Sequence, residues 1–365
     1  MTLELTEAIP ESIIRADRAL HELHRRVDIG AYLNPTNTQE ARKLFVEGAK
    51  APPFEYSDAN WVNTEIELLQ TLKVDKGHPF GELLASSIRG TAHMFLALRD
   101  RTPGAFGRLA ALNDWIPSEE VVQAAEKEIP IKDDAPFVFG APDMKLELER
   151  ALTKRNYEHW TVEITSVMAA RVSVDSAKHR IKVNAAARFR ERDVSKLVAH
   201  EIDVHVTRGK NGEGQPLHIF STGLPGSLET EEGLAIYSEE LSRASTPGGG
   251  WRRGLVCRSI IWAQEMGFRD LFNRISEVAE PGLAWGISVR LKRGLRDPSL
   301  PGVFAKDVVY YRGERRLASW LQGGGRISTL YVGKVGLEHP VNEWLDAGLL
   351  SHCEVPELFS RNLGL

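Results

Sequence analysis

Val198-Ala-His-Glu-Ile-Asp-Val-His-Val-Thr-Arg208 is the stretch on which the reading of the whole chain turns. It sets His200, Glu201 and His205 in an H-E-x-x-x-H pattern. The zinc-peptidase signature H-E-x-x-H is one residue shorter and puts both imidazoles on one helix face. In a regular α-helix, residues five apart lie about 140° apart around the axis, so these two rings would not converge on one ion. To bind a metal here, the helix must widen into a π-type turn, which returns i and i+5 to register, or unwind at the second His. Val194, Leu197, Val198 and Ile202 have helical spacing, so a helix is expected over residues 191–208, with Gly209 placed to stop it.

Two imidazoles leave a catalytic zinc one protein ligand short, since such sites favour three ligands and an open fourth position. The third is sought downstream, in Glu229-Thr-Glu-Glu-Gly-Leu-Ala-Ile-Tyr-Ser-Glu-Glu240, which is helical in composition. Glu232 is the best candidate: Gly233 beside it permits close backbone approach, and Leu234, Ala235 and Ile236 can bury that side. His218 competes for the role, and Glu231, Glu232, Glu239 and Glu240 could instead solvate a helix. Glu201, next to a ligand, is placed to take the proton of a water whose pKa the ion lowers toward ~7.

Upstream, residues 161–174 are rich in β-branched side chains, Asp175-Ser-Ala-Lys178 can turn the chain, and residues 180–184 alternate. A hairpin or two adjacent strands is expected just before the metal helix. The first part reads as mostly helical: residues 12–26, a break at Leu33-Asn-Pro-Thr-Asn37 with Thr36 or Asn37 as cap, helix through Phe45, an end at Pro52-Pro53, and more helix over residues 69–99, interrupted near Gly77-His-Pro79. The Pro-, Asp- and Gly-rich run 129–142 marks the best boundary, giving a helical region 1–140 and a catalytic region 141–365. After Ser227 the helical pattern returns, punctuated by glycine triplets at 248–250 and 323–325.

The 365 residues are 42% hydrophobic and 26% charged, a composition that excludes wholesale disorder. The net charge of −4 offers no global basic field for nucleic acid or an anionic membrane. No apolar run reaches the ~18 residues of a membrane span. The opening residues lack a basic stretch followed by an apolar one, so a cytoplasmic protein is expected. Cys257 and Cys353 read as reduced packing residues. Residues 241–330 hold fifteen Lys or Arg against seven Asp or Glu, a net of +8, which is either a solvated face or a cleft wall for an acidic partner.

At these residues the chain resembles the bacterial flavohemoglobin expression-modulating QEGLA-motif proteins and, through them, the microtubule-associated tyrosine carboxypeptidases. His200-Glu-Ile-Asp-Val-His205 falls on the H-E-x-x-x-H of that family, and Thr230-Glu-Glu-Gly-Leu-Ala235 on the QEGLA element, with Glu231 in place of Gln. Arg208-Gly-Lys-Asn211, Gln215-Pro216, Asn34-Pro-Thr-Asn37, Pro53-Phe-Glu-Tyr56 and Phe304-Ala-Lys-Asp-Val-Val-Tyr310 are similar to further elements of it. The resemblance implies His200, His205 and Glu232 as zinc ligands and Glu201 as catalytic base. It implies an α+β, zincin-like metallopeptidase fold with a mixed sheet beside the metal helix, and removal of a C-terminal residue from a peptide or protein tail. Asp203-Val204 departs from the small residue and Thr usual before the second His. Tubulin is no obvious substrate for the bacterial branch, so tyrosine specificity is not carried over.

A carboxypeptidase must also hold the terminal carboxylate, best done by an Arg fork. Arg290, Arg293, Arg296 and Arg312 are the candidates, and Tyr310 is a candidate oxyanion donor with interior packing as its alternative. An endopeptidase would share the metal site but lack the clamp. The rival from another class is a catalytically silent metal-binding regulator or scaffold, against which the retention of Glu201 argues.

Overall fold

In a computed structural model, residues 9–363 are described; residues 1–8, on which part of the expectation about the opening stretch falls, and residues 364–365 lie outside them. The chain runs α1 (Glu11–Arg26), α2 (Ile29–Leu33), α3 (Thr38–Val46), α4 (Val62–Thr71), α5 (Gly81–Asp100), α6 (Pro103–Leu112), α7 (Glu119–Glu126) and α8 (Ala141–Lys154) before any strand. The strands are β1 (Thr161–Thr165), β2 (Val172–Asp175) and β3 (Arg180–Asn184). Next come α9 (Glu191–Leu197), a π-helical stretch (Val198–Val206) and α10 (Thr207–Glu213), stacked end to end. The remainder is helical: α11 (Ile219–Thr222), α12 (Ser227–Leu241), α13 (Gly249–Glu265), α14 (Phe268–Ser276), α15 (Pro281–Lys292), α16 (Val308–Gln322), α17 (Ile327–Leu330), α18 (Val341–Asp346) and α19 (Glu357–Leu363). The protein is α+β, mostly helical with one small mixed sheet. Among the described residues no helix is long and apolar enough to cross a membrane.

The sheet has the order β1-β3-β2. β2 and β3 form the expected antiparallel hairpin, with Val172 opposite Val183 and Val174 opposite Ile181. β1 pairs in parallel with the other edge of β3, Val162 beside Ile181. Alternation puts Ile181 and Val183 on one face, and they pack with Val162, with Met144 and Leu148 of α8, and with Ile202 and Val206 of the π-helical stretch. The sheet thus forms the floor on which the helix bearing His200 and His205 rests.

The opposite flank of that helix belongs to a second core. Val204 packs there with Ile13, Leu20 and Leu23 of α1, Phe80, Phe220, Leu234 and Leu317, so residues on both sides of the 129–142 run share one apolar cluster. Asp17 of α1 reinforces the join by accepting the backbone N–H groups of His218 (2.7 Å) and Ile219 (3.0 Å). α12 is wedged between the π-helical stretch and α16, where two glycines meet: a Cβ on Gly233 would stand 2.3 Å from the carbonyl oxygen of Gly313.

Gly209 and Asn37 both differ from the sequence expectation. Gly209 does not stop the helix bearing His200 and His205, which continues to Glu213. It is buried inside the helix because a Cβ there would lie 2.9 Å from Ser176 Oγ in the turn before β3. Asn37 does stand before α3, but its side chain bonds the Pro53 carbonyl and the Glu55 N–H instead of capping the helix.

Candidate metal centre

The extra residue in H-E-x-x-x-H is absorbed by widening: Val198–Val206 is π-helical, the first of the two routes by which residues five apart share a face. His200 and His205 consequently lie with ring centroids 4.9 Å apart and planes at 66°. Side-chain donors support the widened turn. The Thr207 hydroxyl donates to the Ile202 carbonyl (2.9 Å) and the Tyr331 hydroxyl to that of Asp203 (2.8 Å). The unusual Asp203 is held by a bidentate pair with Arg155 at 2.6 and 3.0 Å, and Val204 packs in the core.

Each imidazole is oriented through Nδ1. His200 Nδ1 lies 2.8 Å from Glu239 Oε1, and His205 Nδ1 lies 2.8 Å from Glu231 Oε1. An ionised carboxylate only accepts, so each Nδ1 carries a proton, and in the neutral ring, the form that binds a metal, Nε2 keeps its lone pair. Both Nε2 atoms face one oxygen: Glu232 Oε2 is 3.6 Å from His200 Nε2 and 3.7 Å from His205 Nε2. That oxygen is buried and has no hydrogen-bond partner. Tetrahedral ligands held ~2.1 Å from a zinc ion are about 3.4 Å apart, so this oxygen stands at ligand spacing from both nitrogens and beyond hydrogen-bond reach of either. The residues present therefore fit a zinc ion. Glu201 is buried beside them, its carboxylate within 4.8 Å of the imidazole nitrogens.

The charges around the pair are graded. Burial opposes charge on His200, but Glu201, Glu232 and Glu239 outweigh it and push its pKa up to about 10. Burial raises the Glu201 carboxyl despite both imidazoles. Burial would also raise Glu231, but Arg208, then Lys334 and His205, hold it well below the usual carboxylate range. Arg208 is fully buried; it pairs with Glu231 and donates to the Leu330, Gly333 and Val335 carbonyls. Lys334 adds a contact to Glu231 at 2.8 Å, and Lys196 stands 3.4 Å from Glu239. The carboxylates that orient the imidazoles thus have their own cations, whereas Glu201 and Glu232 make no ion pair with Lys or Arg among the described residues.

The other sequence candidates separate. Tyr310 lies close enough to Glu232 and Glu201 for their charges to help burial raise its pKa. Arg290 packs over the Tyr310 ring and bonds Asp307 at 2.5 Å, and Arg293 reaches the same carboxylate at 3.4 Å. Arg296 is exposed. Arg312 is engaged by Glu229 and Asp114. His218 stacks on His21 with centroids 4.1 Å apart, outside the cluster. Sequence reasoning missed Lys306, which lies within electrostatic reach of Glu232, Arg293, Asp307 and Arg290 and whose pKa burial lowers. Much of the basic excess in residues 241–330 is spent on internal pairs: Arg253 with Glu314, Arg315 with Glu128, and Arg316 with Glu229.

The family profile described as microtubule-associated tyrosine carboxypeptidase matches residues 118–365, which hold all of these groups except Asp114 and His21. The chain is similar to microtubule-associated tyrosine carboxypeptidase 1 of mouse, 32% identical over 195 residues covering 52% of this chain and 41% of that protein. The rat protein is 33% identical over 195 residues, 52% of this chain and 41% of the relative. The human protein is 33% identical over 188 residues, 50% and 39%. The chain thus matches about two-fifths of the length of these curated relatives.

Proposed function

The chain belongs to the microtubule-associated tyrosine carboxypeptidase family, and from that premise we propose that it is a zinc-dependent, zincin-like metallocarboxypeptidase that removes a C-terminal residue from a peptide or protein tail. One observation carries the reading: the orphaned, buried Glu232 Oε2 faces the Nε2 atoms of His200 and His205 at 3.6 and 3.7 Å. Within the family we place it beside the bacterial QEGLA-motif proteins, on the strength of Glu232-Gly-Leu-Ala235, and in the cytoplasm.

His200, His205 and Glu232 would hold the ion, with Glu239 and Glu231 fixing the two imidazoles. When bound, zinc supplies a Lewis acid and lowers the pKa of a water toward ~7. Glu201 accepts the proton of the attacking water at its carboxylate and passes it to the departing nitrogen; burial, which makes this carboxylate the more basic, suits the role. The Tyr310 hydroxyl donates to the oxyanion that develops on the scissile carbonyl. Arg290 and Arg293 are partly neutralised by Asp307, so the Lys306 ammonium provides the charge for the terminal carboxylate of the tail.

Glu201→Gln tests the reading. The amide keeps the shape but cannot take the proton, so zinc content stays at the wild-type level. Release of C-terminal residues from a peptide library, followed by mass spectrometry, falls by roughly 10²-fold or more. Full activity in this variant, or equal cleavage of peptides with amidated ends, overturns it.

A further inference from the structure

A second group of metal-ligating side chains gathers at the far end of the same helix. His159 precedes β1, His179 closes the turn between β2 and β3, and Glu213 is the last residue of α10. One ligand atom from each lies within 4.8 Å of the other two. His179 Nε2 is 2.6 Å from Glu213 Oε1. The His159 and His179 rings stand edge to face with centroids 4.9 Å apart, the same separation as His200 and His205. His179 holds this position with a left-handed backbone, φ 48°, a conformation uncommon for a residue with a Cβ.

We propose that His159, His179 and Glu213 form a second divalent-metal site, for an ion of the zinc class, that clips the β2–β3 turn and the lead-in to β1 onto the end of the metal helix. Two imidazoles and one carboxylate suit zinc, nickel or copper; calcium and magnesium prefer all-oxygen shells. The site is open to entry: the His179 and Glu213 side chains are 38% and 26% exposed, and His159 is exposed. An incoming ion must open the 2.6 Å hydrogen bond between His179 Nε2 and Glu213 Oε1 and displace Lys210, 3.3 Å from Glu213 Oε2, the other oxygen of that carboxylate. An exposed pair of that kind is weak because water screens it, so an incoming dication displaces it readily. The ends to be joined are already in contact, since Gly209 abuts Ser176 one turn earlier on the helix. The proposal does not depend on the chain being a peptidase.

The test is a zinc titration by calorimetry of the full chain, stripped with chelator, with elemental analysis at saturation. Wild type takes up two equivalents, the second more weakly. His205→Ala loses the tight one and keeps the weak one. His159→Gln with His179→Asn, the Asn chosen because it tolerates the left-handed backbone, loses only the weak one. Millimolar calcium does not compete. Copper supplies an independent readout: Trp160, whose ring lies 5.2 Å from that of His179, is quenched in wild type and not in the double variant. Uptake and quenching identical in wild type and double variant would overturn the proposal. So would saturation at one equivalent that His205→Ala abolishes. If instead His205→Ala keeps both equivalents and the double variant loses one, the reading of His200–Glu232 fails while the clip stands.

Discussion

Gly233 and Gly313 touch backbone to backbone: a Cβ on Gly233 would sit 2.3 Å from the Gly313 carbonyl oxygen, and one on Gly313 would sit 2.1 Å from the Glu229 carbonyl oxygen. Glu232 immediately precedes Gly233, so the closest approach of α12 to α16 positions the third proposed ligand. Gly233→Ala has no flexible side chain to push aside and must separate the helices. It should lower unfolding free energy in urea by about 1–3 kcal/mol, as overpacking does, and weaken zinc uptake as well. Unchanged stability and unchanged zinc content would show that the contact can relax freely.

Glu239→Ala removes the acceptor for His200 Nδ1 without touching any proposed ligand. The imidazole then loses its fixed tautomer and orientation. Zinc affinity, measured by competition with a chelating dye, should fall by ~10–100-fold, the range seen when such supporting carboxylates are lost.

Lys306 and Arg296 distinguish a half-buried cation within electrostatic reach of Glu232 from an exposed one. Lys306→Met should raise KM for peptides with a free C-terminal carboxylate by about tenfold or more, the worth of one charge-assisted hydrogen bond. Arg296→Ala should leave KM unchanged. Equal effects of the two would assign the terminal carboxylate elsewhere.

Two histidines set an acid limit on the fold. Burial lowers His24 and His339 from 6.5 to about 4; His21 reinforces the effect at His24, and Arg208 at His339. Their folded values lie below the unfolded one, so as pH falls the unfolded chain takes up these protons first. Stability is therefore full above about 6.5 and declines as pH falls toward 4. His24→Asn should flatten the difference between urea midpoints at pH 7 and pH 5; a slope identical to wild type would remove His24 from the account.

Local spacing reveals local geometry. H-E-x-x-x-H demands either a π-type turn or an unwound end, and the protein takes the former. The helix of residues 12–26 is visible in Ile13, Ala16, Leu20 and Leu23, all buried. A helix beginning only at Leu69 overlooks Val62 and Ile66, whose i, i+4, i+7 relation to Leu69 was available and whose side chains are buried in α4. Glu239 also had a signal: it lies seven residues, two turns, beyond Glu232 and so shares its face. The roles of Arg208, Lys334 and Tyr331 had none, because their partners come from distant parts of the chain. The place of β1 beside β3 was equally hidden: a run of β-branched residues followed by a turn describes a hairpin, and the parallel edge depends on α8 packing across the sheet.

The added residue between His200 and His205 has a reach well beyond the two imidazoles. One residue more or less turns everything downstream by about 100° and shifts it by about 1.5 Å along the axis. Arg208 meets Glu231, Gly209 fits against Ser176, and Gly212 passes within 2.2 Å, measured from a notional Cβ, of the Phe220 carbonyl oxygen, all in a single rotational phase. Shortening the motif by one residue between 202 and 204 would restore an ordinary winding and the commoner zinc-peptidase spacing, yet swing the Arg208 guanidinium away from its acceptors and drive two glycine-sized gaps out of alignment. The insertion therefore works as a keyed coupling: the second half of this helix can dock only while the first half stays overwide, which ties the spacing of His200 and His205 to the seating of α10 and α11.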